Sequence, residues 1–160
     1  MPTVCLPVSN IKACARVDRD VMNWARHMTW HLHKGYVATT VGSGKKAKRY
    51  YLHRLLMASN PRLVVDHKNG NPLDNRTRNL RLATVSQNGA NVPKLSTNKS
   101  GLKGVVKHGD RFRAYIHKNR KTKYLGTFDT AKQAACEYDK QAKKLFGRFA
   151  KVNGIKCSPR

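Results

Sequence analysis

Acidic side chains are scarce in this sequence, which has 8 Asp and Glu residues against 33 Lys and Arg residues. The formal charge of +25 is far beyond what solubility requires, and its self-repulsion is costly unless a polyanion relieves it. Both halves of the chain carry the excess, and apolar residues recur throughout, which argues against a disordered basic tail. The composition therefore predicts a folded protein that binds nucleic acid.

Long hydrophobic runs are missing as well. No segment approaches the ~20 apolar residues of a membrane span, and no amphipathic basic helix suited to a membrane surface is evident. The first residues, MPTVCLPVSN, lack the basic cluster and apolar stretch of a signal peptide. We therefore expect no membrane partner and a cytoplasmic protein, in the cytoplasm of the host cell if a phage encodes it.

Cysteine is rare and unclustered, since Cys5, Cys14, Cys136 and Cys157 include no CxxC pair. The ligand spacing that a structural zinc site requires is therefore missing. These residues are expected to be reduced thiols, with no zinc bound and with the fold held together by apolar packing alone.

What is present is an alternation of helical and extended patterns, which predicts the α+β class. Two small units are expected, residues 1–95 and 99–157, because the stretch from Pro93 to Ser100 turns to a linker composition of Lys, Ser, Thr and Asn. Within the first unit the patterns predict helices at 18–27 and 51–59 and strands at 29–33 and 36–41. The basic loop GSGKKAKR, residues 42–49, either touches a phosphate backbone or is a solvated hairpin loop.

From Arg62 the pattern is an apolar strand, a long polar loop, a short strand at 80–83 and a helix starting near Thr84 or Ser86. The run DHKNGNPLDNRTRNLRLATVSQN, residues 66–88, resembles the HNH, or ββα-metal, nuclease family, and its homing-endonuclease branch in particular. An ordered pattern of this length is a specific signal. The resemblance implies a metal-dependent phosphodiester hydrolase.

Each matched position has a chemical role in such an enzyme. His67 is the expected general base, because a neutral imidazole accepts a proton from water near neutral pH. Asp66 and Asn88 are the expected ligands of one divalent cation, magnesium or manganese, because both supply hard oxygen atoms. Asn79 is implied to pin the loop and to orient the backbone near His67. Asn88 stands where the literal motif has His, a feature that homing-type relatives share.

Several basic side chains near the motif are candidates for holding phosphates, with ordinary solvated charge as the alternative reading. One of them is expected to steady the leaving group, and the sequence does not indicate which. The candidates are His53, Arg54, Arg76, Arg78 and Arg81.

The C-terminal unit predicts a three-stranded antiparallel sheet with turns near 108–110 and 118–121, followed by a helix from Thr130 to Phe146. Asp129 or Thr130 is available as the helix N-cap. The run YLGTFDT, residues 124–130, with Gly104, Ala134, Ala135, Tyr138 and Asn153, resembles the plant ethylene-response-factor, or APETALA-type, DNA-binding domain. The resemblance covers about residues 99–155.

Strand alternation places Phe112, Ala114 and Ile116 against the helix and leaves the other face of the sheet exposed. In the family that face lies in the major groove of DNA. The alternative is that the basic side chains on this face are simply solvated and contact no DNA. The DNA contacts that the matched positions imply are His108, Tyr115, His117, Thr122 and Tyr124. Lys103 and Arg113 are added as expected contacts because of their charge. Tyr124 replaces the usual Trp and Val106 replaces a common base-reading Arg, so the family's sequence preference does not carry over.

The combined expectation is a monomeric, homing-type HNH endonuclease that nicks or cuts double-stranded DNA. Two alternatives remain open at this point. One is a DNA-binding regulator with a vestigial nuclease fold, and the other is a non-specific nuclease that processes DNA for a virus.

Overall fold

The computed structural model describes residues 2–57, 60–94 and 98–157. The chain forms two compact units that divide after Thr84, and both combine helices with small antiparallel sheets. The predicted α+β class is therefore confirmed. In the described residues, no helix has the length and apolar character needed to traverse a lipid bilayer.

The first unit begins with a hairpin and a short helix that together build its core. Strands β1 (Thr3–Pro7) and β2 (Cys14–Asp18) pair antiparallel, and α1 (Arg19–Ala25) starts directly after Asp18. Alternate residues of β2 point inward, because the side chains of a strand face opposite sides in turn. Apolar side chains from these elements pack around the fully buried Trp30, whose indole nitrogen donates to the carbonyl of Ala25 at 2.8 Å.

A second sheet and a strand pair complete this unit. Strands β3 (His31–His33), β4 (Tyr36–Val41) and β5 (Lys48–Tyr51) form an antiparallel sheet, and α2 (Leu52–Leu56) follows at once. The next two strands, β6 (Val64–His67) and β7 (Leu80–Ala83), pair antiparallel with Asp66 opposite Arg81 and His67 opposite Leu80. A long polar loop with one 3₁₀ turn, Thr77–Asn79, joins them.

The second unit begins with α3 (Val85–Asn91) and continues with β8 (Val105–His108), β9 (Arg111–Lys118) and β10 (Lys121–Phe128), which form one sheet in the order 10-9-8. Helix α4 (Ala131–Phe146) packs on this sheet and begins with a capping box, in which Thr130 and Gln133 satisfy each other's backbone amides. Ala114 and Ile116 are buried, so the strand alternation predicted for β9 is confirmed.

Close packing of α4 on the sheet depends on one glycine. Gly104 has φ of +75°, and a Cβ atom there would overlap the ring of Tyr138 on α4. Burial raises the pKa of that tyrosine to about 12. Any side chain at 104 would push the sheet and the helix apart.

The sequence patterns missed part of the first unit. The patterns do not predict β1, β2 or β5, and β5 overlaps the end of the segment 42–49, for which the sequence predicts a loop. The helix expected at 51–59 is described only as Leu52–Leu56, and residues 58 and 59 lie outside the described part of the chain. The same holds for residues 95–97 of the predicted linker.

The prediction of reduced cysteines is wrong in this structure, where Cys5 pairs with Cys14 and Cys136 with Cys157. Spacing in the sequence gave no hint of this, because the first pair is brought together by the β1–β2 hairpin and the second joins α4 to the C-terminal segment. The expectation that apolar packing alone holds the fold is therefore wrong as well. Closing loops of this kind typically stabilises a fold by about 2–4 kcal/mol each.

Candidate active site

Strand β6 ends in two polar residues that are both buried, Asp66 and His67, with exposed fractions of 3% and 6%. The Oδ2 atom of Asp66 accepts a hydrogen bond of 2.7 Å from Nε of Arg81, its partner across the β6–β7 ladder. Antiparallel pairing places these side chains on the same face of the strand pair. The carboxylate of Asp66, one residue before His67 in the chain, is therefore held at a fixed position by Arg81.

Burial lowers the pKa of His67, although a hydrogen bond with Asn75 and the charges of Asp66 and Asp74 oppose the effect. The imidazole is consequently neutral near physiological pH. A neutral imidazole is the form that can accept a proton from a water molecule. Burial thus favours the neutral form of the His67 imidazole.

A second buried histidine lies next to it. The ring centroids of His53, on α2, and His67 are 5.3 Å apart, and burial lowers the pKa of His53 to about 4. Within the part of the chain that the structure describes, Nδ1 of His53 is buried without a hydrogen-bond partner. With its pKa lowered to about 4, His53 is uncharged near neutral pH and lacks the positive charge that a phosphate contact would use. No local pattern in the sequence marks its burial.

Tyrosine rings surround the two histidines. Tyr36 lies 5.1 Å from His53 and 6.1 Å from His67 between ring centroids, and it is 40% exposed. Tyr51 lies 5.8 Å from His53 and 6.3 Å from Tyr36 between ring centroids, with the guanidinium of Arg54 over its ring. Since Tyr36 is the exposed member, it marks the side from which this cluster is open to solvent.

The polar loop between β6 and β7 is held by a hydrogen-bond network centred on Asn79. Its Oδ1 accepts from the backbone of Asn69, and its Nδ2 donates to the carbonyl of Asp74 and to Oδ1 of Asn69. The carbonyl of Asn79 accepts from the amide of Lys68, the residue directly after His67. These bonds are those expected of a residue that fixes the loop and the end of β6.

Asp74 is the second anchor of the loop, and it is fully buried. Its carboxylate binds Arg76 through both oxygens and accepts a further hydrogen bond from the side chain of Asn69. The hydrogen bond from Arg76 is the main reason why the pKa of Asp74 is lowered. The loop that carries the site is thus held partly by a buried charge pair.

We expect Asp74→Ala to lower the free energy of unfolding by about 3 kcal/mol, because it leaves a partly buried guanidinium without its partner. Urea unfolding measures this, and Asp20→Ala, which removes an exposed acid on α1, serves as the matched control with little change. The lowered pKa gives a stabilisation that is present above the ordinary carboxylate pKa and is lost as the pH falls through the folded value. Equal midpoints for the two variants would contradict the role assigned to Asp74.

The predicted phosphate contacts of the first unit fall into two groups. Arg76 and Arg81 are engaged in ion pairs with Asp74 and Asp66. Arg54 and Arg78 have exposed side chains. The exposed pair is available to a phosphate backbone without breaking an internal ion pair.

Asn88 lies on α3, which belongs to the second unit, and its side chain is partly buried. Among the described residues, no three His, Cys, Asp or Glu side chains converge as a metal site. A single carboxylate with an amide oxygen suits a hard cation that takes its other ligands from water and phosphate. Carboxylate and amide oxygens are donors of the kind that a divalent metal ion accepts.

The second unit presents the other predicted contacts on one face of its sheet. Tyr115 and Tyr124 are paired across β9 and β10 with ring centroids 5.5 Å apart, and Tyr124 is 52% exposed. His117 and Thr122 are also paired, through a hydrogen bond of 2.7 Å between Nδ1 and Oγ1. His108, at the end of β8, is exposed.

Arg113 also belongs to this surface. In the described residues its Nε atom is buried and has no hydrogen-bond partner. Its strand neighbours are Val106 and Thr127, neither of which is acidic. An exposed ion pair joins Arg111 of β9 to Asp129, the residue directly after β10.

Lys103 is expected from its charge to be an exposed DNA contact, but its ammonium group has partners inside the protein. Its Nζ donates to the carbonyls of Ala90 and Val92 at the end of α3, and burial lowers its pKa to about 8. A cation at the C-terminus of a helix is stabilised by the helix dipole and by the unpaired carbonyls. Lys103 is therefore committed to an internal role, which weakens its case as a DNA contact.

A buried histidine with a lowered pKa, a preceding carboxylate that Arg81 holds and a formal charge of +25 are features that suit an enzyme acting on nucleic acid. The family model described as HNH endonuclease matches residues 50–90, a range that contains Asp66, His67, Asn79 and Asn88. The uncharacterized HNH endonuclease L560 of Acanthamoeba polyphaga mimivirus is 33% identical over 128 residues, which are 79% of this chain and 67% of that protein. Protein 3.8 of Escherichia phage T7 is 33% identical over 89 residues, covering 54% of this chain and 73% of that protein.

The chain belongs to the HNH endonuclease family. It is a nuclease, a phosphodiester hydrolase that acts on DNA, and HNH nucleases are generally metal-dependent.

Proposed function

We propose that this protein is a metal-dependent endonuclease of the homing type that nicks double-stranded DNA at sites chosen partly by its second unit. The observation that carries the proposal is the pair at the end of β6, where the buried His67, whose pKa is lowered by burial, directly follows Asp66, whose carboxylate is paired with Arg81. Both sit at the base of a loop that hydrogen bonds hold rigid.

In this proposal Asp66 and Asn88 are the ligands of one divalent cation, magnesium or manganese. When bound, such a cation neutralises the charge that develops on the scissile phosphate and on the departing 3′ oxygen. The assignment of Asn88 rests on the sequence pattern, because the matched family range includes it. With one carboxylate in the set, the cation is expected to bind weakly alone and more tightly with DNA.

His67 takes the proton of the attacking water, and Asn79 acts indirectly by holding the loop next to it. The neutral imidazole is the competent form, and burial favours that form. Tyr36 and His53 shape the open side of the site. Arg54 and Arg78, which are exposed, are the proposed phosphate contacts of this unit, whereas Arg76 and Arg81 support the site through their ion pairs.

The second unit is proposed to be an APETALA-type DNA-binding domain, assigned to residues 99–157, with the nuclease domain assigned to 1–95. Support comes from its three-stranded sheet packed on one helix and from the exposed face described above. Aromatic, hydroxyl and basic side chains on one flat face suit both base edges and phosphates. The proposed contacts are His108, Arg113, Tyr115, His117, Thr122 and Tyr124, with Lys103 the least supported.

Joining two such units on one chain raises the effective concentration of the second once the first is bound. Two weak contacts with DNA then act as one firm contact. A monomer with a single active site cuts one strand, so nicking is the proposed outcome rather than a double-strand break.

The proposal is tested with a supercoiled plasmid library that carries random inserts, incubated with the purified protein and either Mg²⁺ or Mn²⁺. We expect open circles whose nicks map to a set of related sequences, and no nicks after EDTA is added. Nicks at unrelated positions would indicate a non-specific nuclease. A protein that binds the library but nicks none of it with either ion would instead be a regulator with a vestigial site.

A further inference from the structure

One face of the sheet formed by β3, β4 and β5 is continuous with the candidate active site. The antiparallel register and the alternation of side chains along each strand place His33, Tyr36 and Tyr51 on this face. The ring centroids of His33 and Tyr51 are 6.2 Å apart, and those of Tyr51 and Tyr36 are 6.3 Å apart. Because Tyr36 lies 6.1 Å from His67 between ring centroids, this row of rings begins at the site.

Arg49 extends the same face away from the site. It lies two residues before Tyr51 on β5, so the two side chains point to the same side of the sheet. Its guanidinium donates to Nε2 of His33 at 3.0 Å. A guanidinium can only donate hydrogen bonds, so His33 accepts and orients Arg49 without neutralising its charge. Arg49 is exposed, and among the residues that the structure describes it takes part in no ion pair.

The segment that carries this face is strongly basic. Residues 31–51 include five Lys and Arg residues and no Asp or Glu. A cation without an acidic partner attracts the phosphates of a nucleic acid, and aromatic rings pack against its sugars and bases. Tyr36, which is 40% exposed, offers such a ring next to the site. The charge and the rings of this face therefore suit a DNA strand.

We propose that the face formed by His33, Tyr36, Arg49 and Tyr51 holds the cut strand of DNA on one side of the scissile phosphate. Tyr36 contacts the nucleotide next to that phosphate, and Arg49 binds a phosphate farther along the same strand. The inference rests on the proposed function and deepens it, because it assigns a substrate-binding surface to the first unit. It also selects phosphate binding for Arg49, the last residue of the basic segment 42–49.

The opposite face of the same sheet supplies matched controls. Lys48 precedes Arg49 and Tyr50 follows it, so strand alternation points both of these side chains to the other side. Lys48 is exposed, and Tyr50 is 39% exposed, close to the value for Tyr36. Variants at these positions therefore remove a cation or a tyrosine ring of similar exposure from one face or from the other.

Fluorescence anisotropy with a labelled duplex, selected from the plasmid library by binding and titrated in EDTA, measures affinity without cleavage. Arg49→Ala is expected to weaken binding by about 5-fold or more and to make the dependence of log K on log salt shallower by about 1. Lys48→Ala should weaken binding by less than about 2-fold. An equal loss of affinity in these two variants would overturn the proposal, because the charge would then act without regard to the face that carries it.

The tyrosines are compared in the same assay. Tyr36→Ala is expected to weaken binding by about 5-fold or more, because it removes the ring that packs against a nucleotide. Tyr36→Phe keeps the ring and should bind DNA as the unmodified protein does, and Tyr50→Ala should do the same. A loss in Tyr50→Ala that matches the loss in Tyr36→Ala would contradict the choice of face.

Neutral phosphates locate the contact of Arg49. The selected duplex is made with one methylphosphonate at a time, in each strand in turn, and each version is titrated with the protein. At the position that Arg49 contacts, the substitution should weaken binding by the unmodified protein and by Lys48→Ala, but should cause no further loss in Arg49→Ala. If every substitution weakens Arg49→Ala as much as it weakens the unmodified protein, Arg49 binds no phosphate and the proposal is overturned.

The outcomes separate this inference from the proposed function. If Arg49→Ala and Tyr36→Ala bind weakly as expected but no DNA is nicked with Mg²⁺ or Mn²⁺, the DNA-binding face stands and the proposed cleavage fails. If DNA is nicked and neither variant loses affinity, the nuclease assignment stands and this inference fails. Should Arg49→Ala fail to fold, Arg49→Gln removes the charge and keeps a hydrogen-bond donor for His33, and the same loss of affinity is expected from it.

Discussion

His67→Ala reduces the rate of DNA nicking by at least about 10²-fold, because it removes the only proposed acceptor for the proton of the attacking water. DNA binding should stay close to that of the unmodified protein, since His67 is buried and uncharged and makes little contribution to phosphate attraction. Nicking of supercoiled plasmid measures the first effect, and fluorescence anisotropy with labelled duplex measures the second.

The matched control for this experiment is His27→Ala, which removes an exposed histidine from the same unit. It should leave nicking and binding unchanged. If His67→Ala instead weakened binding while the bound DNA was still nicked, His67 would be a binding residue and the assignment of the general base would be wrong. The far-ultraviolet circular dichroism spectrum and the unfolding midpoint of each variant exclude loss of folding as the cause.

The second large effect is expected on the sheet surface of the second unit. Arg113→Ala combined with Tyr115→Ala should weaken binding to duplex DNA by roughly 10²-fold, because one change removes a cation and the other an aromatic contact at the centre of the face. The dependence of log K on log salt should become shallower by about 1 for the lost Arg113 charge. Titrations at several salt concentrations measure both quantities.

The control for this prediction is a pair of changes on the opposite side of the same unit. Lys140→Ala with Lys143→Ala removes two exposed cations from α4. We expect a small change in affinity there, because these charges lie on the helix rather than on the sheet face. An equal loss of affinity in both double variants would show that charge alone governs binding, and the APETALA-type assignment would lose its support.

The sequence predicted well those parts of the fold in which local pattern and burial agree. The strands β8 to β10, the Thr130 cap and the alternation of β9 follow from turn residues, capping chemistry and side-chain periodicity. Strand β5 was missed because its residues, KRYY, begin with two charges and lie at the exposed edge of a sheet. Edge strands often carry such charges, which makes them resemble loops in a sequence.

For the site, the sequence indicated which residues matter but not how they are partnered. Asp66 and His67 were found from the motif, whereas the ion pair of Asp66 with Arg81 depends on the register between β6 and β7. The position of His53 beside His67 depends on how α2 packs, which no local pattern encodes. Lys103 looks like any other surface lysine in the sequence, yet it donates to the end of α3.

The disulfide pairing is also set by tertiary packing and cannot be predicted from local sequence patterns. Cys136 and Cys157 are far apart in the chain, and only the return of the C-terminal segment along α4 brings them together. Asn153 and Gly154 guide that return through backbone hydrogen bonds to the buried carboxylate of Asp139. None of these contacts repeats with a helical or strand period, so periodicity could not reveal them.

The most direct test of the account is a crystal structure of the His67→Ala variant bound to uncleaved duplex DNA in the presence of Mn²⁺, with the ion located by its anomalous scattering. The account predicts one manganese ion bound by oxygen atoms of Asp66, Asn88 and a single DNA phosphate. A manganese ion held elsewhere, or a phosphate backbone that does not approach Asp66, would contradict it.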